Sequence, residues 1–182
     1  MDDLTDRFPP ADKAVLPAGQ WPAYERIERR RGRIPAPFVP LLASPDVAEA
    51  FDGLSEILQH GSLPAVVREA VFLRTARSHR CAYLWMNHLG KAAQAGLDAK
   101  AQAALASGEI PSAPTTVVAV ARFVAELRDE HRVTQPVYDD VVLALGVCGV
   151  VELTAFCGFA TSIAMLLNMR QPALPPGPPA PF

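Results

Sequence analysis

Proline is distributed very unevenly along the chain, and this distribution constrains the fold more than any other feature. Of 18 prolines, eight lie in residues 1–45 and six in residues 172–182. The four between them are Pro64, Pro111, Pro114 and Pro136. Because proline fits the first turn of a helix but breaks its interior, the middle of the chain is free to be helical. The two ends are therefore predicted to be extended or flexible.

Helix start and stop signals recur through this middle part. Residues that commonly cap helices precede apolar stripes of helical period, and glycines follow them. Strict alternation of apolar and polar residues, the pattern of a strand, is scarce. We therefore predict an all-α, single-domain bundle of six to eight helices over residues 21–171, with a flexible arm at residues 1–20 and a disordered, proline-rich tail at residues 172–182. The expected helices cover residues 44–59, 63–78, 81–95, 97–107, 115–132, 134–145 and 150–169.

The helix expected over residues 44–59 has a clear apolar stripe. Its large side chains recur at helical spacing, so we predict that they face the core. These residues are Val47, Ala50, Phe51, Leu54, Ile57 and Leu58.

The composition excludes several classes of protein. The 182-residue chain is 50% hydrophobic, too apolar for a disordered protein, and its net charge of −2 gives no electrostatic reason to bind nucleic acid. Its three cysteines form no C-x-x-C arrangement, so we expect reduced thiols and a cytoplasmic location rather than a disulfide-built secreted fold. The N-terminal residues have neither the basic nor the apolar region of a signal peptide.

Residues 141–167 are long and apolar enough to span a bilayer. Their one carboxylate, Glu152, falls in the middle, where a charge is costly in lipid, and glycines interrupt the run. We therefore expect no membrane insertion, and predict buried helical segments or a helix packed in an oligomer core. So much uncharged helical surface is expected to be covered partly by a second copy of the chain, with Glu152 paired to an arginine across that interface.

The most informative segment for chemistry is LPAVVREAVFLRTARSHRCAYLWMNHLGKAAQAGL, residues 63–97. Cys81 and His88 share a helix face but lie about 10.5 Å apart along the axis, so they cannot touch through this helix alone. A helix hairpin can bring Glu69 beside either group, and a carboxylate with a histidine partner is the usual equipment for proton transfer. The segment thus places Glu69 on one helix and four candidates on the next: Cys81, Tyr83, Trp85 and His88.

The order R-E, then C-x-Y-x-W-x-x-H, then a small-residue run ending in A-G-L resembles the carboxymuconolactone decarboxylase and alkylhydroperoxidase D-like superfamily. The segments RGRIPAPFVPLLASPDVAEAF and VVELTAFCGFATSIAMLLNM resemble its opening segment and closing helix. The likeness covers roughly residues 25–170. It implies the all-helical alkylhydroperoxidase D-like fold and assembly into dimers, trimers or hexamers.

The peroxidase members of this superfamily have a glutamate, a C-x-x-C pair and a histidine. Here Glu69 matches the glutamate, Cys81 the first cysteine and His88 the histidine, but Leu84 stands where the second, peroxide-attacking cysteine would be. The resemblance leaves open a single-cysteine peroxidase or thiol reductase that uses Cys81. The other alternative is a non-catalytic oligomeric binding protein of the same fold, for which Leu84 is the main evidence.

The decarboxylase branch implies an enzyme without metal or organic cofactor that acts on a small organic acid or lactone, with or without decarboxylation. In this interpretation His88 is the acid/base, and Glu69 orients or protonates it. Tyr83 or Arg74 would donate a hydrogen bond to a substrate oxygen, and Trp85 would be a pocket wall.

These residues also have purely structural interpretations. Glu69 could pair with a nearby arginine, and Cys81 could be a small buried hydrophobe. Cys148 and Cys157 lie in an apolar stretch and are expected in the core. The basic run of residues 25–33 is expected to form a solvated helix face or a contact between subunits. No His and Cys residues have the spacing of a zinc site, so no metal is expected.

Overall fold

The computed structural model describes residues 7–8 and 11–182, and all regular structure within them is helical. The prediction of an all-α bundle is therefore confirmed. Three short 3-10 turns at Ala18–Gln20, Ala36–Phe38 and Pro40–Ala43 join the early part of the chain to the helices. The helices are α1 (Trp21–Arg31), α2 (Pro45–His60), α3 (Ala65–Ser78), α4 (Ala82–Gln94), α5 (Ala99–Ser107), α6 (Thr115–Asp129) and α7 (Gln135–Arg170).

The long helix α7 is broken at Gly146. This residue has φ 71° and ψ 171°, which lies outside the helical region. A positive φ of this kind favours glycine. The break divides α7 into residues 135–145 and 147–170, close to the two separate helices predicted there. Within the described residues the bundle thus has eight helical rods, the upper end of the predicted range.

The core is built around α3. This helix packs against α4, α5, α6 and α7, so eight of its 14 residues are buried. Its side chains therefore reach cavities on more than one side. The helix ends at Ser78 and α4 begins at Ala82, and this break turns the two helices into a closely packed pair.

The apolar stripe predicted to face inward on α2 is only partly buried. Val47, Leu54 and Ile57 are 46%, 37% and 67% exposed, whereas the buried side of α2 carries Ala48, Asp52, Ser55 and Leu58. The prediction was wrong for these three residues and for Ala50, which is also exposed, because the side of α2 that packs against its neighbours carries mostly smaller side chains.

Two predictions about residues of α7 are also corrected. Cys148 is exposed rather than in the core, and Cys157 is half-buried. The Glu152 carboxylate accepts hydrogen bonds from the backbone N–H and hydroxyl of Ser62, at 2.7 and 2.8 Å, and its pairing with an arginine across a subunit interface stays a prediction. Glu152 thereby ties the loop before α3 to α7.

By length and composition α7 is also a candidate membrane span. It packs against α2, α3, α4 and α6, yet 28% of its most apolar stretch is buried. Much of its apolar surface is therefore not covered by this chain.

The chain ends flank the bundle. Residues 1–6 and 9–10 of the predicted arm lie outside the described residues. Residues 172–182 contain no helix or strand, and the ring of Phe182 packs edge-on against Trp85 with 5.5 Å between centroids. The domain boundaries and the disorder of the tail stay predictions.

Candidate active site

The pair expected from the sequence, Glu69 and His88, is in direct contact. Oε2 of Glu69 lies 2.7 Å from Nδ1 of His88, and both side chains are mostly buried. The packing of α3 against α4 brings them together. Phe72, one turn after Glu69, lies against the imidazole with 4.0 Å between ring centroids. The imidazole is thus held by a carboxylate at one nitrogen and by an aromatic ring at its face.

Burial lowers the pKa of His88 below its ordinary value of 6.5, an effect opposed by the contact with Glu69 and reinforced by the charge of Lys91. The imidazole is therefore neutral at pH 7. Since a carboxylate accepts hydrogen bonds, the proton lies on Nδ1, which donates to Glu69. Nε2 makes no hydrogen bond within the described part of the chain. It is left as an unprotonated base.

His88 lines a cavity of about 220 Å³. Its walls come from the end of α1, the 3-10 turn at Ala36–Phe38, and helices α2, α3, α4 and α7. Apolar side chains form one part of the wall: Phe38, Phe72, Leu84, Phe159, Ile163 and Leu167. Polar ones form the other: Arg31, Arg33, Ser55, Gln59, Tyr83, Asn87 and Lys91.

The charges on this wall have one sign. Arg31, Arg33 and Lys91 are cationic, and no aspartate or glutamate is among the described lining residues. Arg31 is fixed by Asp52, which is 1% exposed, through Nε and Oδ1 at 2.5 Å. Its Nη2 is buried without a hydrogen-bond partner in the described chain and lies 3.6 Å from Oε1 of Glu56. The cavity therefore suits a ligand that carries negative charge.

These cations are not among the site residues predicted from the sequence. The run of residues 25–33 is predicted to form a solvated helix face or a subunit contact, but its Arg31 reaches both Asp52 of α2 and the cavity. Lys91 could have been found, because it lies one helical turn after His88 on the same helix. Nothing in the local sequence indicates that Arg31 and Arg33 approach the histidine.

Of the six predicted site residues, three meet here. His88 and Tyr83 line the cavity, and Glu69 lies directly behind His88. Leu84, which replaces the second cysteine of the peroxidases, also forms part of the wall.

The other three lie elsewhere. Cys81 is buried at the N-terminal cap of α4, and burial raises the pKa of its thiol. Trp85 is buried and contacts Phe182. Arg74 donates to the backbone carbonyls of Gly108 and Glu109, at 3.3 and 3.2 Å, so it closes the C-terminal end of α5 instead of pointing to a substrate. Among the described residues no three His, Cys, Asp or Glu side chains are grouped as a metal site requires.

Comparison with known proteins shows a family to which part of this chain is similar. Residues 45–126, from α2 into α6, match the carboxymuconolactone decarboxylase family. A search of curated proteins finds no match. The matched segment contains both Glu69 and His88.

Several solved structures share the fold. One is an uncharacterised peroxidase-related protein with an alkylhydroperoxidase AhpD core from Ralstonia eutropha JMP134, with a TM-score of 0.69 and 19% identity over 90% of this chain and 88% of that one. A second peroxidase-related protein, from Silicibacter sp. TM1040, has a TM-score of 0.68 and 15% identity over 92% and 90%.

A third structure is a cysteine-to-alanine variant of the debrominase Bmp8 in complex with 2,3,4-tribromopyrrole. Its TM-score is 0.69, with 14% identity over 97% of this chain and 94% of that one. Residues 45–126 of this chain thus match the carboxymuconolactone decarboxylase family, and the chain shares the alkylhydroperoxidase D-like fold with these solved structures.

Proposed function

We propose that this chain is a cofactor-independent enzyme that moves a proton to or from carbon in a small organic acid or lactone, with or without loss of carbon dioxide. The observation that carries the proposal is the neutral His88, held by Glu69 at Nδ1 and lining a cavity with Nε2 unpaired.

The chemistry follows from the two nitrogens of His88. Nε2 takes a proton from a carbon next to a carbonyl group, and the electron pair of the broken C–H bond moves onto the carbonyl oxygen as an enolate. The imidazolium that forms is stabilised by the Glu69 carboxylate and returns the proton to a carbon atom. Glu69 also keeps the imidazole in the tautomer that leaves Nε2 free.

Decarboxylation would use the same groups in a different order. The electron pair of the breaking C–C bond moves into the carbonyl system as carbon dioxide leaves, and His88, after taking up a proton from water at Nε2, delivers that proton to carbon. The cations Arg31, Arg33 and Lys91 would bind a substrate carboxylate and stabilise the enolate charge. Tyr83, on the same wall, can donate a hydrogen bond to a substrate oxygen.

The comparisons support this proposal in general terms. The matched family is named for a decarboxylase, and the debrominase of the same fold is in complex with a small ring compound. The His88 cavity, at about 220 Å³, has room for a small ring compound.

The single-cysteine peroxidase is disfavoured by the placement of Cys81. A peroxidase thiol must ionise and reach peroxide, whereas this thiol is 1% exposed, absent from the cavity lining and has a raised pKa. The cavity wall near His88 instead contains Leu84, which has no thiol.

The experiment is deuterium exchange combined with detection of carbon dioxide. The full chain is incubated in deuterated water with a panel of small organic acids and lactones, and mass spectrometry measures deuterium in the recovered compounds. We expect incorporation or decarboxylation of at least one compound, with loss of activity in Glu69→Gln and His88→Gln.

The matched control is His60→Gln, because His60 is an exposed histidine on α2 outside the cavity. It should keep full activity. Activity that survives in His88→Gln would contradict the proposal, as would calorimetric binding of a panel compound with neither exchange nor decarboxylation. The latter result would identify a non-catalytic binding protein.

A further inference from the structure

A second cavity lies between α3, α6 and α7 and shares no lining residue with the His88 cavity. Its volume is about 300 Å³. The two cavities lie on different sides of α7: Cys157, Gly158 and Thr161 line this one, while Phe159 and Ile163 line the other. A ligand in one would therefore not occupy the other.

Several polar groups on the wall of the second cavity have no protein partner. The hydroxyls of Thr75, Ser78 and Thr161 and the ring of His79 make no side-chain hydrogen bond within the described part of the chain. Burial lowers the pKa of His79, with a smaller effect from the charge of Arg128. The imidazole is thus neutral at pH 7 and can both donate and accept.

The rest of the wall is apolar or electrically compensated. Val124, Leu127 and Cys157 supply apolar surface. Arg128, the one charged residue among those described in the lining, is bound by both carboxylate oxygens of Asp129 at 2.7 Å each. In the His88 cavity Arg33 and Lys91 have no ion pair among the described residues, whereas this cavity offers no uncompensated charge and suits a neutral ligand.

Gly158 keeps the wall open. It lies inside α7, where glycine is less favourable than alanine. A Cβ atom built on it would meet nothing within 4 Å, so packing within this chain does not require a glycine there. A larger residue at this position would instead project into the space of the cavity.

We propose that the α3–α6–α7 cavity is a second binding site, for a small neutral ring or branched hydrocarbon that carries a hydroxyl or carbonyl group. The apolar wall takes the hydrocarbon part, and the unpaired hydroxyls with His79 take the polar group. A cavity of about 150 Å³ can hold benzene, so this volume accommodates a substituted ring.

Two probes that differ in charge test the proposal on the full chain. Cyclohexanol is neutral, and cyclohexanecarboxylate has the same ring with a negative charge. Methyl NMR signals of Val124, Leu127 and Thr161 report on the second cavity, and those of Ile163 and Leu167 on the His88 cavity. We expect cyclohexanol to shift the Val124, Leu127 and Thr161 methyl signals saturably. Cyclohexanecarboxylate should leave these three sets of signals unshifted.

Gly158→Leu fills the cavity and should weaken cyclohexanol binding at least tenfold. Ser162→Leu is the matched control, since it adds the same side chain to α7 outside this lining, and should leave the binding unchanged. Thr161→Val removes one hydroxyl without adding bulk and should weaken binding about two- to tenfold. This variant keeps the proposal testable if Gly158→Leu fails to fold.

Four outcomes overturn the proposal. In the first, cyclohexanol shifts only the Ile163 and Leu167 signals. In the second, its effect survives both Gly158→Leu and Thr161→Val. In the third, the carboxylate shifts the second-cavity methyls as strongly as the alcohol. In the fourth, cyclohexanol gives no saturable shifts, and if Gly158→Leu then changes the molar mass in solution, the cavity is a contact between copies of the chain.

Discussion

Glu69 holds Nδ1 of His88 through a 2.7 Å contact from the adjacent helix, so that Nε2 is the nitrogen left for a substrate. In the proposed mechanism this relationship makes the carboxylate a positioning residue and the imidazole the base. It also separates the two roles experimentally, since the charge of Glu69 can be removed while its hydrogen-bond acceptor is kept.

Glu69→Gln should lower the exchange rate about 100-fold. The rate depends on neutral His88, so it should rise with pH through the His88 pKa and then reach a plateau. The Glu69 contact raises the pKa of His88. In Glu69→Gln the neutral amide should therefore shift the rise of the exchange rate to lower pH, and the plateau rate should be lower. A pH–rate profile checks both effects, and a rise that moves to higher pH would contradict the assigned roles.

The folded chain should lose stability on acidification from pH 7 to pH 5. The folded-state pKa values of His88 and His79 lie below 6.5 because both rings are desolvated by burial. Below pH 6.5 the unfolded chain takes up protons that the folded chain does not, so the free energy of unfolding falls. Denaturant unfolding at several pH values measures the slope. The slope should be smaller in His88→Gln but unchanged in the exposed-site variant His60→Gln.

One thiol of the native chain should react rapidly with a thiol reagent. Cys148 is exposed, whereas burial raises the pKa of Cys81, and that of Cys157 to about 12. Cys148→Ser should therefore remove the fast phase, and unfolding should expose the remaining two thiols. A fast phase that is lost in Cys81→Ala instead would restore the peroxidase alternative.

The chain should self-associate through the face formed by exposed apolar side chains of α2 and α7. These are Val47, Leu54, Ile57, Leu143, Val147, Val151, Met165 and Met169. Monomers rarely expose a continuous apolar patch above about 600 Å². The carboxylate of Glu152 is turned to Ser62 and does not compensate this surface with a free charge.

Light scattering of Val151→Glu should show a lower molar mass than that of the parent chain. Ala103→Glu adds the same charge at an exposed position of α5 and should have no effect. A parent chain that is monomeric at high micromolar concentration would show that this face has another occupant, or none.

Gly61→Ala should destabilise the fold by about 0.5–1 kcal/mol. A Cβ at this position would lie 2.7 Å from Oε2 of Glu152, so the contact between Glu152 and Ser62 must shift. Gly53→Ala, inside α2, would meet nothing within 4 Å and should be neutral or slightly stabilising. Equal free energies of unfolding for the two variants would rule out the steric explanation.

Local sequence signals were enough to predict the helices after residue 44, but α1 lies in the proline-rich first part of the chain that was predicted to be extended or flexible. Proline, glycine and capping residues influence the backbone only a few positions away. The helix breaks near Ser78 and before Val147 can therefore be predicted from the local sequence. The stripe on α2 shows the limit of such signals. Its period shows that α2 has an apolar face, but not whether that face is covered by the same chain or by a second one.

The sequence predicted the residues of the candidate site correctly only where regular helix geometry determines which side chains share a face. Cys81 and His88 were placed on one face, but Cys81 is the cap of α4, where the backbone is not yet helical. Arg74 follows Glu69 by five residues, which turns it about 140° around the helix and away from the histidine. The cations Arg31 and Arg33 come from a distant segment, and only tertiary packing brings them to the cavity.

The break at Gly146 has a consequence for how the molecule opens. The 11 residues before it form a short rod with mostly exposed or half-buried side chains, whereas the rod after it carries Phe159, Ile163 and Leu167 of the His88 cavity. A helix of this length is marginal by itself. Its amide hydrogens should therefore exchange with solvent ahead of those in the second rod, and this first rod can unwind while the walls around the imidazole stay assembled.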